Sequence, residues 1–409
     1  MLTIPRNVHA AGDDVIKVGL IGCGGRGTGA AKQALTADKG NRLVAVGDAF
    51  EDRVKLSLGS LSRQDEISGQ IDVPKERQFV GFDAYQNVIE NVDVVLLCTP
   101  PGFRPAHLKA AIDAGKHVFA EKPVAVDAPG VRSVLETCEL AAKKKLSVVS
   151  GLCLRYSYGF QDIITRIHDG QIGRVTSMRA NDYRGGIWVK PRQEDWSDMT
   201  YQMRNWYYYT WLSGDFNVEQ HVHFLDVCAW AMGDKYPVSA LGMGGRLQRS
   251  GDEYGHIYDH HSVVYSWEDG PDLHSNTRQM RGCSNLMSAQ IVGTKGTANI
   301  SERSGGLWIE PHGQPEKRYV YEGEENQFYQ TEHDELFKSI RSGTPINNGR
   351  YMANSTLLGI LGRACTYTGQ KITWEEMLAS EEKLGPEKLA WDTPLEEPPV
   401  AIPGVTRFS

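Results

Sequence analysis

From residue 15 onward, short apolar runs alternate with amphipathic stretches. Residues 15–21 form an apolar run that ends in glycines, and 28–35 carry a helical period. A second apolar run, 43–46, ends at Asp48. A third, 92–98, is followed by Thr99-Pro100-Pro101. Residues 104–114 are helical up to Gly115, and 117–120 form a fourth strand that ends at Glu121-Lys122-Pro123. Residues 130–145 form a long helix, and 147–150 return to a strand. Strands and helices in alternation predict a parallel sheet covered by helices on both faces. The near-continuous apolar character of these strands agrees, because each is buried from two sides.

Beyond residue 151 the pattern changes. Segments 176–183, 238–247, 261–267, 274–279, 286–292 and 297–300 largely alternate polar and apolar positions, separated by turns such as Glu268-Asp269-Gly270. That period predicts an open, largely antiparallel sheet with one face on a core. One helix, about 218–230, interrupts the series, and another, 354–366, follows it. The tail from Leu384 is rich in proline and has no period, which predicts an extended arm.

Composition narrows the function classes. With 409 residues, 40% of them hydrophobic and 23% charged, the chain has room for two ordinary globular domains. The net charge of -7 and the lack of a long basic run exclude nucleic acid as the expected partner. Lys143, Lys144 and Lys145 close a helix, where cations suit the dipole. The seven cysteines are odd in number and lack CxxC spacing, so neither a disulfide framework nor a zinc site is expected. No run of about 18 apolar residues exists, so no membrane span is expected. Val8-His9-Ala10-Ala11 has the small-x-small form of a signal-peptidase site, without the charged region and apolar core that precede one. A start just inside a removed export signal and an ordinary flexible start both stay open. Localisation, cytoplasmic or exported, stays open with them.

Gly22-Cys23-Gly24-Gly25-Arg26-Gly27 fits GxGxxG at Gly22, Gly24 and Gly27. It follows a strand and opens a helix, the context in which the motif carries meaning. The glycines allow a tight turn and close approach of backbone N–H groups to a pyrophosphate, which the helix N-terminus favours. Asp48 ends the next strand, 21 residues after Gly27. A carboxylate there accepts ribose hydroxyls and repels a 2′-phosphate, so NAD is expected rather than NADP. Gly25, Arg26, Thr99, Pro100 and Glu121 complete the expected cofactor set. The chain thus reads as α/β. A flexible segment covers 1–14, a Rossmann domain with a doubly wound parallel sheet covers 15–150, an α+β substrate and oligomerisation domain covers 151–378, and an extended arm covers 379–409.

Glu121-Lys122-Pro123 sits at the carboxyl end of a parallel strand, the edge where open α/β sheets bind ligands. Together with Ala114-Gly115-Lys116-His117-Val118, Arg155-Tyr156, Ile172-Gly173 and the 218–230 helix, it resembles the glucose–fructose oxidoreductase / inositol dehydrogenase / MocA (Gfo/Idh/MocA) family over nearly the whole chain. The resemblance implies a catalytic role for Lys122, places His223 where that family has its catalytic histidine, and makes Glu219 its acidic partner. Asp226 fits the acid that follows three residues later. His221 stands where glycine is usual, so the base is His223 or His221.

The chemistry asks for these residue types independently. Oxidation of a secondary alcohol removes a hydride from carbon and a proton from oxygen. A histidine can take that proton. A carboxylate one helical turn earlier shares its face, and a lysine can stabilise the developing alkoxide. A metal held by Glu219, His221, His223 and Asp259-His260-His261 is the competing reading. It is set aside because i and i+2 on a helix do not face one another.

Residues 183–214 form a long polar loop that holds Trp188, Trp196, Trp206, Tyr207, Tyr208, Tyr209 and Trp211. Aromatic faces suit sugar rings, and arginines such as Arg184 can bind hydroxyls or an acid group. Arg155, Tyr156, Arg184, Trp188, Trp206 and His221 are the expected substrate contacts. The open sheet face is a plausible interface, so a homo-oligomer (dimer or tetramer) is expected. The leading function is an NAD-dependent oxidoreductase on a sugar, glycoside or polyol. The alternative is an NAD-retaining glycosidase or lyase working by oxidation, elimination and re-reduction. The third is a non-catalytic NAD or sugar sensor.

Overall fold

The computed structural model describes residues 15–268 and 270–408. The candidate cleavage site at residues 8–11 lies outside the described residues. The first sheet holds six parallel strands: β1 (Ile16–Ile21), β2 (Asn41–Asp48), β3 (Gln78–Val80), β4 (Val94–Leu97), β5 (His117–Ala120) and β6 (Val148–Ser150). Their order is β3-β2-β1-β4-β5-β6, which reverses between β1 and β4. That reversal opens a crevice at the carboxyl ends of the strands. Between the strands run α1 (Gly25–Ala37), α2 (Glu51–Leu61), α3 (Asp65–Ser68), α4 (Ala84–Glu90), α5 (Arg104–Asp113) and α6 (Ala128–Lys143).

Neighbouring residues of each central strand enter opposite cores. Leu20 and Leu96 face Ala30, Ala31 and Leu35 of α1. Ile21 and Leu97 face Leu108 of α5 and Val131 of α6. Burying each large aliphatic side chain contributes about 1.5–3 kcal/mol, so the two-sided apolar runs dictate this layering.

The second sheet holds β7 (Val175–Arg184), β8 (Ser239–Gly245), β9 (His260–Ser266), β10 (Asp272–Gln279), β11 (Leu286–Gly293), β12 (Gly296–Ile300), β13 (Trp308–Pro311), β14 (Tyr319–Val320) and β15 (Ile372–Thr373). The order is β14-β13-β12-β11-β7-β10-β9-β8-β15. Every neighbouring pair is antiparallel except β7 and β10 at the centre. The exception arises because the chain leaves the sheet after β7 for a long excursion, and a parallel pair needs such a crossover.

The helices of this half are α7 (Tyr158–His168), α8 (Asp198–Arg204), α9 (Thr210–Ser213), α10 (Phe216–Glu219), α11 (Val222–Ala231), α12 (Phe328–Ser342), α13 (Gly349–Thr368) and α14 (Trp374–Ala379). Leu336 and Phe337 of α12 return to the core of β1 and α1. The N–H of Val148 donates to the carbonyl of Ile346 at 2.7 Å. Residues 328–348 therefore pack on the first sheet, although the sequence pattern groups them with the second. Helix α13 lies against both α6 and β8. It joins the two sheets through one continuous apolar core.

Residues 380–408 form no helix or strand. The arm is nevertheless tied down. The Leu384 N–H donates to Asp127 Oδ2 (2.9 Å), Tyr258 Oη to the Ala401 carbonyl (2.9 Å), and the Gly404 N–H to the Thr368 carbonyl (2.8 Å).

Two expected substrate contacts are instead part of this framework. Arg155 is partly buried and donates to Asp226 (2.8 and 2.9 Å) and Asp234 (2.6 Å), with its guanidinium 3.9 Å from the Tyr351 ring centroid. Tyr156 is buried and donates its hydroxyl to Asn348 Oδ1 at 2.9 Å. Both were expected on the substrate; in this structure their side chains join the segment after β6 to α11 and α13. Arg155→Leu leaves Asp226 buried without its partner, which costs about 3–5 kcal/mol. Denaturant unfolding should show that loss, with KM unchanged in the folded enzyme. Wild-type stability with a raised KM would return Arg155 to the substrate.

Candidate active site

The glycine loop divides into positions the fold needs and positions a ligand needs. Gly22 has φ 95°, and a Cβ there would lie 2.5 Å from the Cys98 carbonyl carbon. A Cβ on Gly27 would lie 1.8 Å from the Gly22 carbonyl oxygen. At Gly24 and Gly25 a Cβ would meet nothing within 4 Å. Both line a cavity of about 590 Å³ shared with Asp48, Thr99 and Pro100. Helix α1 begins at Gly25, so its free N–H groups open toward this space.

Asp48 Oδ2 accepts the Cys23 N–H (2.7 Å) and Oδ1 accepts the Phe50 N–H (2.9 Å). Burial pushes its carboxyl above the ordinary range despite those two donors. Each oxygen keeps a lone pair for a ribose hydroxyl. A cradle open where a pyrophosphate needs room, closed elsewhere and bordered by this carboxylate fits a dinucleotide.

Arg26 borders the cavity, but its donors are taken by the protein. It pairs with Glu121, with Glu332 at 2.7 Å and with Gln33 at 2.8 Å. Although burial works against its charge, Glu121 and Glu332 hold the guanidinium protonated. Glu121 also accepts the Lys122 N–H at 3.0 Å. Arg26 and Glu121, both expected at the cofactor, also brace the glycine loop against β5 and α12. Glu332 lies 306 residues from Arg26, and no local motif announces it. Arg104 was also missed. Buried, it donates to the carbonyls of Leu97 (2.8 Å), Thr99 (2.7 Å) and Pro123 (3.1 Å), and so fixes two strand ends together.

The expected single helix over 218–230 is broken. Asp215, at φ 78°, caps α10 through the Asn217 N–H (3.3 Å). The His221 N–H reaches back five residues to the Phe216 carbonyl (3.1 Å), and α11 starts afresh at Val222. The break leaves the Glu219 carbonyl open, and Lys122 Nζ donates to it at 2.5 Å and to Glu219 Oε1 at 3.1 Å. Glu219, expected beside His223, thus has Lys122 as its partner in this structure. Asp215 in turn is held by His261 at 3.2 Å and by the Tyr367 hydroxyl.

His223 is the second residue of α11 and is partly exposed. Burial, then the charges of Lys122 and Arg184, press its pKa well below the ordinary histidine value. Its Nδ1 has no hydrogen-bond partner among the described residues. His221 is fully buried, shares a 2.7 Å hydrogen bond with Ser275 Oγ and lies 3.8 Å from Asp182. Its Nδ1 is likewise without a hydrogen-bond partner, but of the two histidines it is the fully enclosed one, whereas His223 is partly exposed. Asp182 is paired with Arg184. Burial alone would raise its carboxyl, yet His221 and Arg184 keep it below the usual range.

Trp188 and Trp206, expected on the sugar, line the same cavity as the glycine loop. The cause is their loop, which folds back over β2 instead of standing free. No group of three His, Cys, Asp or Glu among the described residues could hold a metal ion. Asp259 Oδ2 accepts three backbone N–H groups instead.

Two glycine variants separate cradle from fold. Gly24→Ala should leave the melting temperature unchanged and weaken NAD binding by about tenfold or more in calorimetric titration. Gly27→Ala should lower both, because its Cβ overlaps backbone. Equal affinity in Gly24→Ala and wild type would remove the pyrophosphate from this loop.

Comparison with known proteins agrees with this geometry. Residues 16–151 match the family model of the oxidoreductase family's NAD-binding Rossmann fold, and residues 164–354 match that of its C-terminal alpha/beta domain. An inositol 2-dehydrogenase/D-chiro-inositol 3-dehydrogenase of Halalkalibacterium halodurans is 30% identical over 164 residues, which span 40% of this chain and 43% of that relative. The match thus spans less than half of that relative's own length. A 2,7-anhydro-N-acetylneuraminate hydratase of Escherichia coli is 24% identical over 62% of this chain and 64% of its own. The aldose-aldose oxidoreductase of Caulobacter crescentus, solved with glycerol, superposes with a TM-score of 0.67 at 16% identity, covering 88% of this chain and 99% of its own. With both family models matched in order on the glycine loop and the broken-helix half, the chain belongs to the Gfo/Idh/MocA family of oxidoreductases and carries its NAD-binding Rossmann domain.

Proposed function

We propose that this protein oxidises a secondary alcohol of a sugar, glycoside or polyol with NAD. The observation that carries the reading is the meeting of Lys122, from the first sheet, with the α10–α11 break that presents His223. Bound NAD supplies the hydride acceptor. His223, neutral because of its surroundings, accepts the hydroxyl proton. The Lys122 ammonium, oriented by Glu219, stabilises the negative charge that grows on that oxygen. Arg184, paired with Asp182, fixes a further hydroxyl. Glu121 and Arg26 hold the Lys122 backbone in place. The inositol dehydrogenase relative supports the polyol class.

A second reading has one specific observation in its favour. A relative is named as a hydratase and not as a dehydrogenase. A cycle of oxidation, elimination or addition, and re-reduction would use the same residues without net NADH.

Two tests follow. Purified enzyme is offered polyols, aldoses and aryl glycosides. Net NADH absorbance is expected with the first two. Release of the aryl group without NADH would select the second reading, and no change with any compound would overturn both. In the same assay Lys122→Ala should abolish turnover while NAD stays bound.

The pH profile tests His223. Its depressed pKa means that the neutral base persists as pH falls through 6.5, so the acid limb of kcat/KM should lie below that point. An acid limb at or above 6.5 that vanishes in His223→Asn would contradict the assignment.

A further inference from the structure

We infer that the Tyr207 hydroxyl donates a hydrogen bond to a second oxygen of the substrate, beside Arg184, and that Gln279 and Arg249 hold it in that donating sense. The inference deepens the oxidation proposed above and rests on it. Its starting point is the core-facing row of β10, which runs Leu273, Ser275, Thr277, Gln279, all buried. Three of the four are polar, and a buried polar group needs a partner. Ser275 Oγ takes His221 at 2.7 Å, and Thr277 Oγ1 donates to the Asp182 carbonyl at 3.1 Å. Gln279 stands directly opposite Arg184 in the parallel pair with β7. One end of its amide meets Arg249 and the other meets Tyr207. The row thus ends where Arg184 stands.

Chemistry fixes the direction of these bonds. Arginine only donates, so the oxygen of the Gln279 amide has to face Arg249. Arg249 is itself buried and also donates to the Tyr258 carbonyl. The Gln279 nitrogen therefore faces Tyr207 and donates to its oxygen at 2.7 Å. Tyr207 is 3% exposed. Its oxygen is the acceptor in that bond, so its own hydrogen has to find another oxygen. Among the described residues Tyr207 donates to none. Burial, then the Glu219 carboxylate, push the phenol well above its ordinary value, so the hydrogen stays in place.

The ring is held as firmly as the hydroxyl. Its centroid lies 5.7 Å from those of Trp206 and Tyr208 and 6.2 Å from that of Trp188. Trp188 and Trp206 line the cofactor cavity. Tyr207 thus links the aromatic wall of that cavity to the end of the second sheet. The carboxylates that act on it, Glu219 and Asp182, are already paired with Lys122 and Arg184. An oriented, neutral donor among balanced ion pairs suits a hydroxyl or ether oxygen of an uncharged compound. It favours a substrate with several oxygens over a simple alcohol, because an unmet donor in an enclosed site is costly.

The test pairs variants with trimmed substrates. Full-length enzyme saturated with NAD is given the polyol or aldose that it oxidises best, and each monodeoxy analogue of that compound. Tyr207→Phe keeps the ring and should lose about fivefold or more in kcat/KM on the parent compound, with NAD affinity unchanged. One monodeoxy analogue should lose as much with wild type, and on that analogue Tyr207→Phe should cost no more than about twofold further. Gln279→Glu still pairs with Arg249 but offers Tyr207 an acceptor in place of a donor. The hydroxyl then turns inward, so this variant should match Tyr207→Phe, and the double variant should be no worse than either. Losses that add in full for every monodeoxy analogue would overturn the inference. So would wild-type kcat/KM in folded Tyr207→Phe or Gln279→Glu. No NADH from any compound with wild type would instead overturn the oxidation itself, and the role of Tyr207 with it.

Discussion

The ammonium of Lys122, reaching from the edge of the first sheet into the broken helix at Glu219, is the contact on which the site depends. Its partner carbonyl is free only because α10 ends early. An unbroken helix would spend that carbonyl on the N–H four residues later. The break is enforced from beneath by Asp215, whose left-handed backbone and buried carboxylate are held by His261 and Tyr367. Strained, over-determined residues tend to cluster at functional sites. Here it converts a helix terminus into an acceptor for a charged side chain of the other half.

The same contact explains how the histidine is tuned. Lys122 and Arg184 both stand close to a buried imidazole. Burial and two cations act in the same direction, toward the neutral form that accepts a proton. The carboxylates nearby do not cancel this, because each is already committed: Glu219 to Lys122, and Asp182 to Arg184. Charge is thus balanced in pairs while the base stays unprotonated.

Much of this was legible in the sequence, for identifiable reasons. Two-sided burial writes itself as continuous apolar strands, and a pyrophosphate cradle needs glycines at fixed spacing, so β1, β2 and the Gly22–Gly27 turn were plain. Lys122 and His223 were marked by motif. What the sequence left hidden has one cause: partners far apart along the chain. Arg155 looked available until Asp226 and Asp234 took its donors. Glu219 sits one turn from His223, yet Lys122 claims it. Trp188 and Trp206 read as sugar platforms, because no local pattern tells where a long loop folds back. The strands β13, β14 and β15 are two to four residues long, too short to show a period.

The central claim is that a hydride leaves a carbinol carbon while His223 and Lys122 manage the proton and charge on its oxygen. Its most direct test is a single turnover of the NAD-loaded enzyme with a polyol, comparing the carbon-bound protium and deuterium forms at 340 nm. A transient of reduced nicotinamide is expected that slows severalfold with deuterium and disappears in His223→Asn. A transient without an isotope effect, or one of wild-type size in that variant, would contradict it.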